Sequence, residues 1–129
     1  MNTSVQIAIA ASFLFIGVAT GAFGSHALSS LIDVNLLMIW HTSVQYLLVH
    51  GVGLLGVALA STYIVKRFQQ LAFTLLTMGT LLFCGSLFLL VLTGNTRLGM
   101  ITPLGGLLFL AGWLLVAIGA LLHRKQSSV

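Results

Sequence analysis

The chain has 129 residues, of which 59% are hydrophobic and only 5% are charged. A soluble domain carries about 25% charged residues, and a chain of this length could not bury so much apolar surface in water. Its net charge of +4 arises from five basic residues and a single acid, Asp33. The basic residues flank apolar segments and form no stripe for binding phosphates, which excludes nucleic acid as the predicted partner and indicates a lipid bilayer.

Four apolar segments are long enough to cross a membrane as helices. They cover residues 5–23, 40–65, 70–92 and 101–122. Because about 20 helical residues span a hydrocarbon core, the pattern predicts a single transmembrane domain, an all-α integral membrane four-helix bundle. For the first segment a cleaved signal peptide is the alternative, but no Lys or Arg precedes its apolar run, as a signal peptide requires.

The connections between the predicted helices are short. Residues 26–32 mix polar and apolar side chains, which suits a short interfacial segment after the first helix. Asp33 or Asn35 is placed to cap the second helix, and Lys66-Arg67 is predicted to form the turn before the third. Pro103 fits the first turn of the fourth helix, where its missing N–H would have no intrahelical partner.

Charge placement predicts the orientation of the bundle. Four spans put both termini and the middle connection on one side, and that side carries the basic pairs Lys66-Arg67 and Arg124-Lys125. The opposite side carries Arg97 and Asp33. Because Lys and Arg favour the cytoplasmic side, both termini are predicted to be cytoplasmic, an N-in/C-in arrangement.

Small residues predict where helices pack closely. Gly17 and Gly21 form a small-xxx-small pair on the first helix, a spacing that lets another helix approach the backbone. Gly105, Gly112 and Gly119 recur every seven residues on the fourth helix and therefore line one narrow stripe. Both sets are predicted as helix-packing faces, within the chain or with a partner.

Several polar side chains are predicted to lie at a similar depth in the outer half of the bundle. Tyr46 and His50 are four residues apart, so they share one helix face, about one turn inside the lipid. One interpretation is that the group provides hydrogen bonds between helices. The other is a polar pocket for a ligand, ion or headgroup. The candidate pocket residues are His26, Tyr46, His50, Ser86, Arg97 and Thr102.

Metal, haem and catalytic chemistry find little support in the sequence. His41 and His50 are nine residues apart and so point to opposite faces of a helix. A zinc or copper site would need His26, His50 and Cys84 from three segments without a recognisable spacing, and a haem held by His26 and His50 is equally unsupported. With one carboxylate in the chain, paired acid–base catalysis is unavailable. We therefore expect no metal, no cofactor and no enzymatic activity.

Four ordered motifs carry a family resemblance. They are Gly21-Ala22-Phe23-Gly24-Ser25-His26, the Trp40/Tyr46/His50 pattern, Gly79-Thr80 with Phe83-Cys84-Gly85-Ser86-Leu87, and Ile101-Thr102-Pro103-Leu104-Gly105-Gly106 with Phe109 and Gly112-Trp113. In these the chain resembles the YgdD/YwdK-like small inner-membrane proteins, a family of unknown function with a mitochondrial relative. The resemblance extends from about residue 18 to residue 125. It implies a four-helix protein of the bacterial inner membrane and supplies no reaction.

Three functions remain open at this point. The first is a non-enzymatic scaffold or accessory subunit that packs against itself or another membrane protein, which the glycine faces favour. The second is a binder of a lipid headgroup, quinone or haem in the outward-facing polar pocket. The third is a small oligomeric transporter or channel, which the absence of intramembrane carboxylates disfavours.

Overall fold

Four long helices form the protein. The structure, a computed structural model, describes residues 1–126, apart from the side chain of Gln126. The helices are α1 (Thr3–His26), α2 (Val34–Leu59), α3 (Lys66–Thr93) and α4 (Thr102–Gln126), and short 3₁₀ turns lie at Leu28–Ser30, Ala60–Thr62 and Thr96–Met100. Each helix is long and apolar enough to cross a membrane. The predicted all-α membrane four-helix bundle, with a short segment after α1, is therefore confirmed.

The start of α2 is fixed by a side-chain cap. The Asp33 carboxylate accepts the backbone N–H groups of Asn35 and Leu36, at 2.7 and 3.2 Å. This bonding satisfies two of the N–H groups that have no partner within the helix. Of the two predicted caps, Asp33 is the one used, and α2 begins at Val34.

The end of α2 also differs from the predicted span of 40–65. The helix stops at Leu59, and the connection to α3 follows over residues 60–65. Lys66 and Arg67, predicted as the turn, are instead the first two residues of α3. Hydropathy could not locate this turn, because Tyr63, Ile64 and Val65 continue the apolar run of the helix.

The other helix ends agree more closely with the sequence. Pro103 lies in the first turn of α4, as predicted. At the end of α3, Gly94 adopts φ +72° and its N–H donates to the Leu90 carbonyl at 2.8 Å. A left-handed residue of this kind closes a helix at little cost only when it is glycine.

α2 and α3 form the centre of the bundle. α1 packs mainly on α2, and α4 packs mainly on α3. The apolar core draws on all four helices, with Phe13 from α1, Leu54 from α2, Phe73 from α3 and Phe109 from α4. The α1–α2 and α3–α4 connections lie at one end, called the loop end below. The start of α1, the end of α4 and the α2–α3 connection lie at the other, called the terminal end.

The glycine stripe of α4 faces α3 of the same chain. A Cβ added to Gly105 would lie 2.6 Å from the backbone nitrogen of Phe83. Added to Gly112 or Gly119, it would lie 2.7 Å from the Leu76 side chain or 2.6 Å from that of Ile64. The stripe is occupied by packing within the chain, so it no longer argues for a partner protein.

Side-chain hydrogen bonds of Trp40 and Ser43 join α2 to the neighbouring helices. The Trp40 indole of α2 donates to the Thr20 carbonyl of α1 at 2.8 Å. The Ser43 hydroxyl, fully buried on α2, donates to the Cys84 carbonyl of α3 at 3.0 Å. Such bonds are favourable in a bilayer because lipid offers no alternative partner to the donor.

Candidate functional site

The six candidate pocket residues do not form one cluster. His26 is the last residue of α1 and is exposed, and Arg97 is exposed in the 3₁₀ turn before α4. Within residues 1–126 neither of these two side chains makes a hydrogen bond to any other candidate residue. Tyr46 and His50 lie together on α2, and Ser86 and Thr102 are paired between α3 and α4.

His50 lies near the middle of α2. It follows Trp40 by ten residues, which corresponds to about 15 Å along an α-helix, or half of a hydrocarbon core. The predicted depth of one turn was counted from Tyr46, taken as the start of the membrane-spanning part of this helix. With the helix starting at Val34, the imidazole lies near the middle of the bundle.

The rings of Tyr46 and His50 stack on one face of α2, as their spacing predicts. Their centroids are 5.8 Å apart and their planes differ by 14°. The hydrogen bond is made to the main chain, however, because His50 Nδ1 lies 2.9 Å from the Tyr46 carbonyl oxygen. A carbonyl only accepts, so Nδ1 carries a proton and donates.

Further aromatic rings extend this stack onto the neighbouring helices. The ring of Phe109 on α4 lies against the His50 imidazole, with centroids 3.6 Å apart and planes 16° apart. The Phe83 ring of α3 stacks on Tyr46 at 4.3 Å. On the terminal-end side, the Trp113 ring lies 6.2 Å from His50. The imidazole is therefore held between rings, with 6% of its surface exposed.

A groove of about 530 Å³ opens beside this stack, and we call it the ring groove. It lies between α2, α3 and α4, and its lining is apolar except for the side chains of Tyr46 and His50. The lining residues are Tyr46, His50, Phe83, Pro103, Gly106, Leu107, Phe109 and Leu110. A smaller hollow beside Gln45 and Val49 adjoins the same two polar residues.

The second imidazole nitrogen of His50, Nε2, makes no hydrogen bond within residues 1–126. In the described part of the chain, the only fully enclosed side-chain nitrogen or oxygen without a hydrogen bond is Gln6 Nε2. His50 Nε2 is not in that enclosed class, so it is accessible from the hollows that His50 lines, which are the ring groove and the smaller hollow beside Gln45 and Val49. The groove thus contains one polar atom whose hydrogen bond is left unmade.

Ser86 and Thr102 mark the loop end of the groove. Their hydroxyl oxygens are 2.8 Å apart, and the Ser86 hydroxyl also lies 3.0 Å from the Phe83 carbonyl. Thr102 directly precedes Pro103, which lines the groove. With both hydroxyls engaged, this pair joins α3 to α4 and contributes a boundary to the site.

The positions of the histidines bear on metal and haem chemistry. No group of three His, Cys, Asp or Glu side chains comes together among residues 1–126. Gly24 packs against Trp40, so His26, two residues later, lies near the level of Trp40. That level is about 15 Å from His50 along α2, so the two histidines cannot be axial ligands of one haem.

A second polar cluster, which sequence reasoning missed, lies near the terminal end. The buried Gln69 amide of α3 donates to the Gln6 side-chain oxygen of α1 at 2.9 Å and to the Val57 carbonyl of α2 at 3.2 Å. Gln70 donates to the Gln69 side-chain oxygen at 3.0 Å. The available signal was Gln6 itself, since an amide inside an apolar run requires a partner from another helix.

These features define a small polytopic membrane protein, with four spans, polar links between them and a lipid-side groove. The chain belongs to the family described as "Protein of unknown function (DUF423)", whose model matches residues 20–106. The resemblance to the YgdD/YwdK-like proteins is thus confirmed. The protein is a multi-pass protein of the bacterial inner membrane.

The relatives are named as membrane proteins and carry no named activity. The inner membrane protein YgdD of Escherichia coli is 36% identical over 129 residues, covering 99% of this chain and 98% of YgdD. The membrane protein YwdK of Bacillus subtilis is 39% identical, covering 90% and 95%. A membrane protein of Staphylococcus haemolyticus is 41% identical, covering 87% and 91%. No solved structure matches the chain.

Proposed function

We propose that the protein binds a membrane-dissolved ring compound of the quinone class in the ring groove, without catalysing a reaction on it. The observation that carries this proposal is the unmade hydrogen bond of His50 Nε2 beside three aromatic rings. An unpaired polar atom in the hydrocarbon region is costly, and a ligand that pairs with it recovers that cost.

The shape and lining of the groove support a planar apolar ligand. Its volume of about 530 Å³ falls within the range of small-molecule sites. Aromatic side chains favour ring ligands through stacked and edge-to-face contacts. The outer lining residues Leu107 and Leu110 are 62% and 71% exposed, so the groove opens toward the lipid, from which an apolar ligand would enter.

Depth favours this ligand class over the other two proposed from the sequence. A phospholipid headgroup stays at the membrane surface, whereas His50 lies about 15 Å along α2 from the interfacial Trp40. A haem held by His26 and His50 is ruled out by their separation. A quinone ring dissolves in the hydrocarbon and can reach the middle of the bundle.

The alternatives to binding have weaker support. A scaffold role rested on the glycine stripe of α4 and on the pair Gly17 and Gly21. The stripe packs against α3, and the pair packs against α2, both within the chain. Transport by an oligomer is favoured by no feature of the described spans. They contain no acidic side chain, since the single acid of the chain lies in a loop. That acid, Asp33, caps α2 and is absent from the ring groove, which supports a role without acid–base catalysis.

Tryptophan fluorescence provides the test. Trp113 lies 6.2 Å from His50, so a quinone in the ring groove would quench its emission. The protein is reconstituted in lipid nanodiscs and titrated with a 1,4-benzoquinone bearing a short isoprenoid tail. We expect the quenching to saturate. His50→Leu should lower the affinity obtained from the quenching curve at least tenfold, because it removes a hydrogen bond and ring contacts to the ligand.

His41 offers a matched control on the same helix. It is exposed and lies nine residues from His50, on the opposite face. His41→Leu should leave the quenching curve unchanged. Quenching that never saturates, or that His50→Leu and His41→Leu affect equally, would contradict the proposal.

A further inference from the structure

We infer that the ring groove selects the hydroxylated form of its ligand, a quinol or phenol, over the corresponding dione. This inference rests on the proposed function and adds the chemical state of the bound ring. The His50 imidazole determines this specificity. The Tyr46 carbonyl determines which imidazole nitrogen carries the hydrogen.

The main chain fixes which imidazole nitrogen donates. His50 Nδ1 lies 2.9 Å from the Tyr46 carbonyl oxygen, and that oxygen has no proton to give. Nδ1 must therefore carry the hydrogen. A neutral imidazole has one donor and one acceptor, so Nε2 presents a lone pair to the ring groove.

The surroundings hold the imidazole in its neutral form. An ionised side chain in the middle of a bilayer is costly unless an opposite charge pairs with it. The groove is lined by aromatic and aliphatic side chains and contains no carboxylate among the described residues. Nε2 can therefore accept a hydrogen bond, and no donor in the described part of the chain bonds to it.

The two redox forms of a ring ligand differ in what they offer this acceptor. A quinol hydroxyl donates to Nε2, whereas a dione oxygen would present a second lone pair and leave Nε2 unpaired. The Tyr46 hydroxyl, the other polar group of the lining, can donate or accept and therefore pairs with either form. The preference for the quinol over the dione is therefore set by His50. One hydrogen bond gained or lost corresponds to about tenfold in affinity.

The test uses three ligands of matched ring and tail. They are the short-tailed 1,4-benzoquinone, its hydroquinone and the dimethyl ether of that hydroquinone, which keeps the ring but has no O–H donor. Binding to the nanodisc protein is measured without oxygen by Trp113 quenching or by competition. Each affinity is corrected for partitioning into nanodiscs without protein. We expect the hydroquinone to bind about tenfold more tightly than either other ligand.

A His50→Gln variant tests the source of the preference. An amide can present either a donor or an acceptor, so the affinities for quinone and hydroquinone should become equal. Far-UV circular dichroism checks that the variant folds, and the ligand series on the unmodified protein does not depend on it.

The possible results separate this inference from the proposed function. Saturable binding of quinone and hydroquinone with equal affinity would overturn the inference and leave ring binding intact. A preference that persists in folded His50→Gln would also overturn it, because Nε2 would not be its source. Saturable binding of none of the three would remove the proposed function and the inference together.

Discussion

Gly105 of α4 lies directly against the backbone of α3 beside Phe83. A Cβ added to Gly105 would be 2.6 Å from the Phe83 nitrogen and 2.9 Å from the Gly79 carbonyl oxygen. These are main-chain atoms of a continuous helix and cannot move aside as the end of a flexible side chain can. The two helices therefore approach this closely only because residue 105 has no side chain.

A Gly105→Ala substitution should destabilise the bundle. It forces α3 and α4 apart, which in well-packed cores costs about 1–3 kcal/mol of unfolding free energy. Gly106→Ala is the matched control, since a Cβ there meets nothing within 4 Å. The measurement is unfolding in mixed micelles followed by far-UV circular dichroism. Equal stability of the two variants would contradict the close approach at Gly105.

The Gln6–Gln69 pair should behave as a coupled unit. Gln69→Leu leaves the buried Gln6 oxygen without its donor, and an unsatisfied buried group costs about 1–3 kcal/mol. Gln6→Leu removes the unpaired Nε2 but leaves one N–H of the buried Gln69 amide without its acceptor, so we expect a smaller loss than for Gln69→Leu. The double variant should recover part of the loss, measured as the coupling term of a double-mutant cycle. A loss for Gln6→Leu as large as that for Gln69→Leu would indicate that Nε2 has a partner, such as an enclosed water.

Much of the fold could be predicted because lipid imposes a simple constraint. Backbone groups must pair within each span, so long apolar runs become helices, and their number and approximate places follow from composition. The α2–α3 connection could not be placed in this way. Residues 60–65 leave the helix, but their only polar side chains are weakly polar hydroxyl groups, and no Gly or Pro marks the turn.

The candidate site was predictable only in part, for a related reason. Tyr46 and His50 share a face because they are one turn apart, and this relation is local to one helix. Phe83 and Phe109 come from other helices, so their stacking on that pair depends on helix rotation and depth, which periodicity does not provide. For the same reason, the prediction that His26 and Arg97 line the pocket was wrong.

The orientation of the bundle remains a prediction from charge. The terminal end carries Lys66, Arg67 and the basic residues that close α4, which places both termini in the cytoplasm. A reporter active only in the periplasm, fused after Val129, should be inactive, and a cytoplasmic reporter at the same site should be active. The reverse pair of results would invert the orientation and leave the four-span fold unchanged.

Ser43 provides the sharpest test of the α2–α3 contact. Its hydroxyl is fully buried and donates to the Cys84 carbonyl at 3.0 Å, across the centre of the bundle. Ser43→Ala should lower the unfolding free energy by about 0.6 kcal/mol, and by no more than about 1.7, the range of interhelical hydrogen bonds in membrane proteins. Thr42→Ala is the matched control, because the exposed Thr42 hydroxyl bonds only to the Met38 carbonyl of its own helix. Its removal should change stability by less than Ser43→Ala does. If Thr42→Ala proves as costly as Ser43→Ala, the bond from Ser43 to the Cys84 carbonyl contributes nothing specific to the contact between α2 and α3.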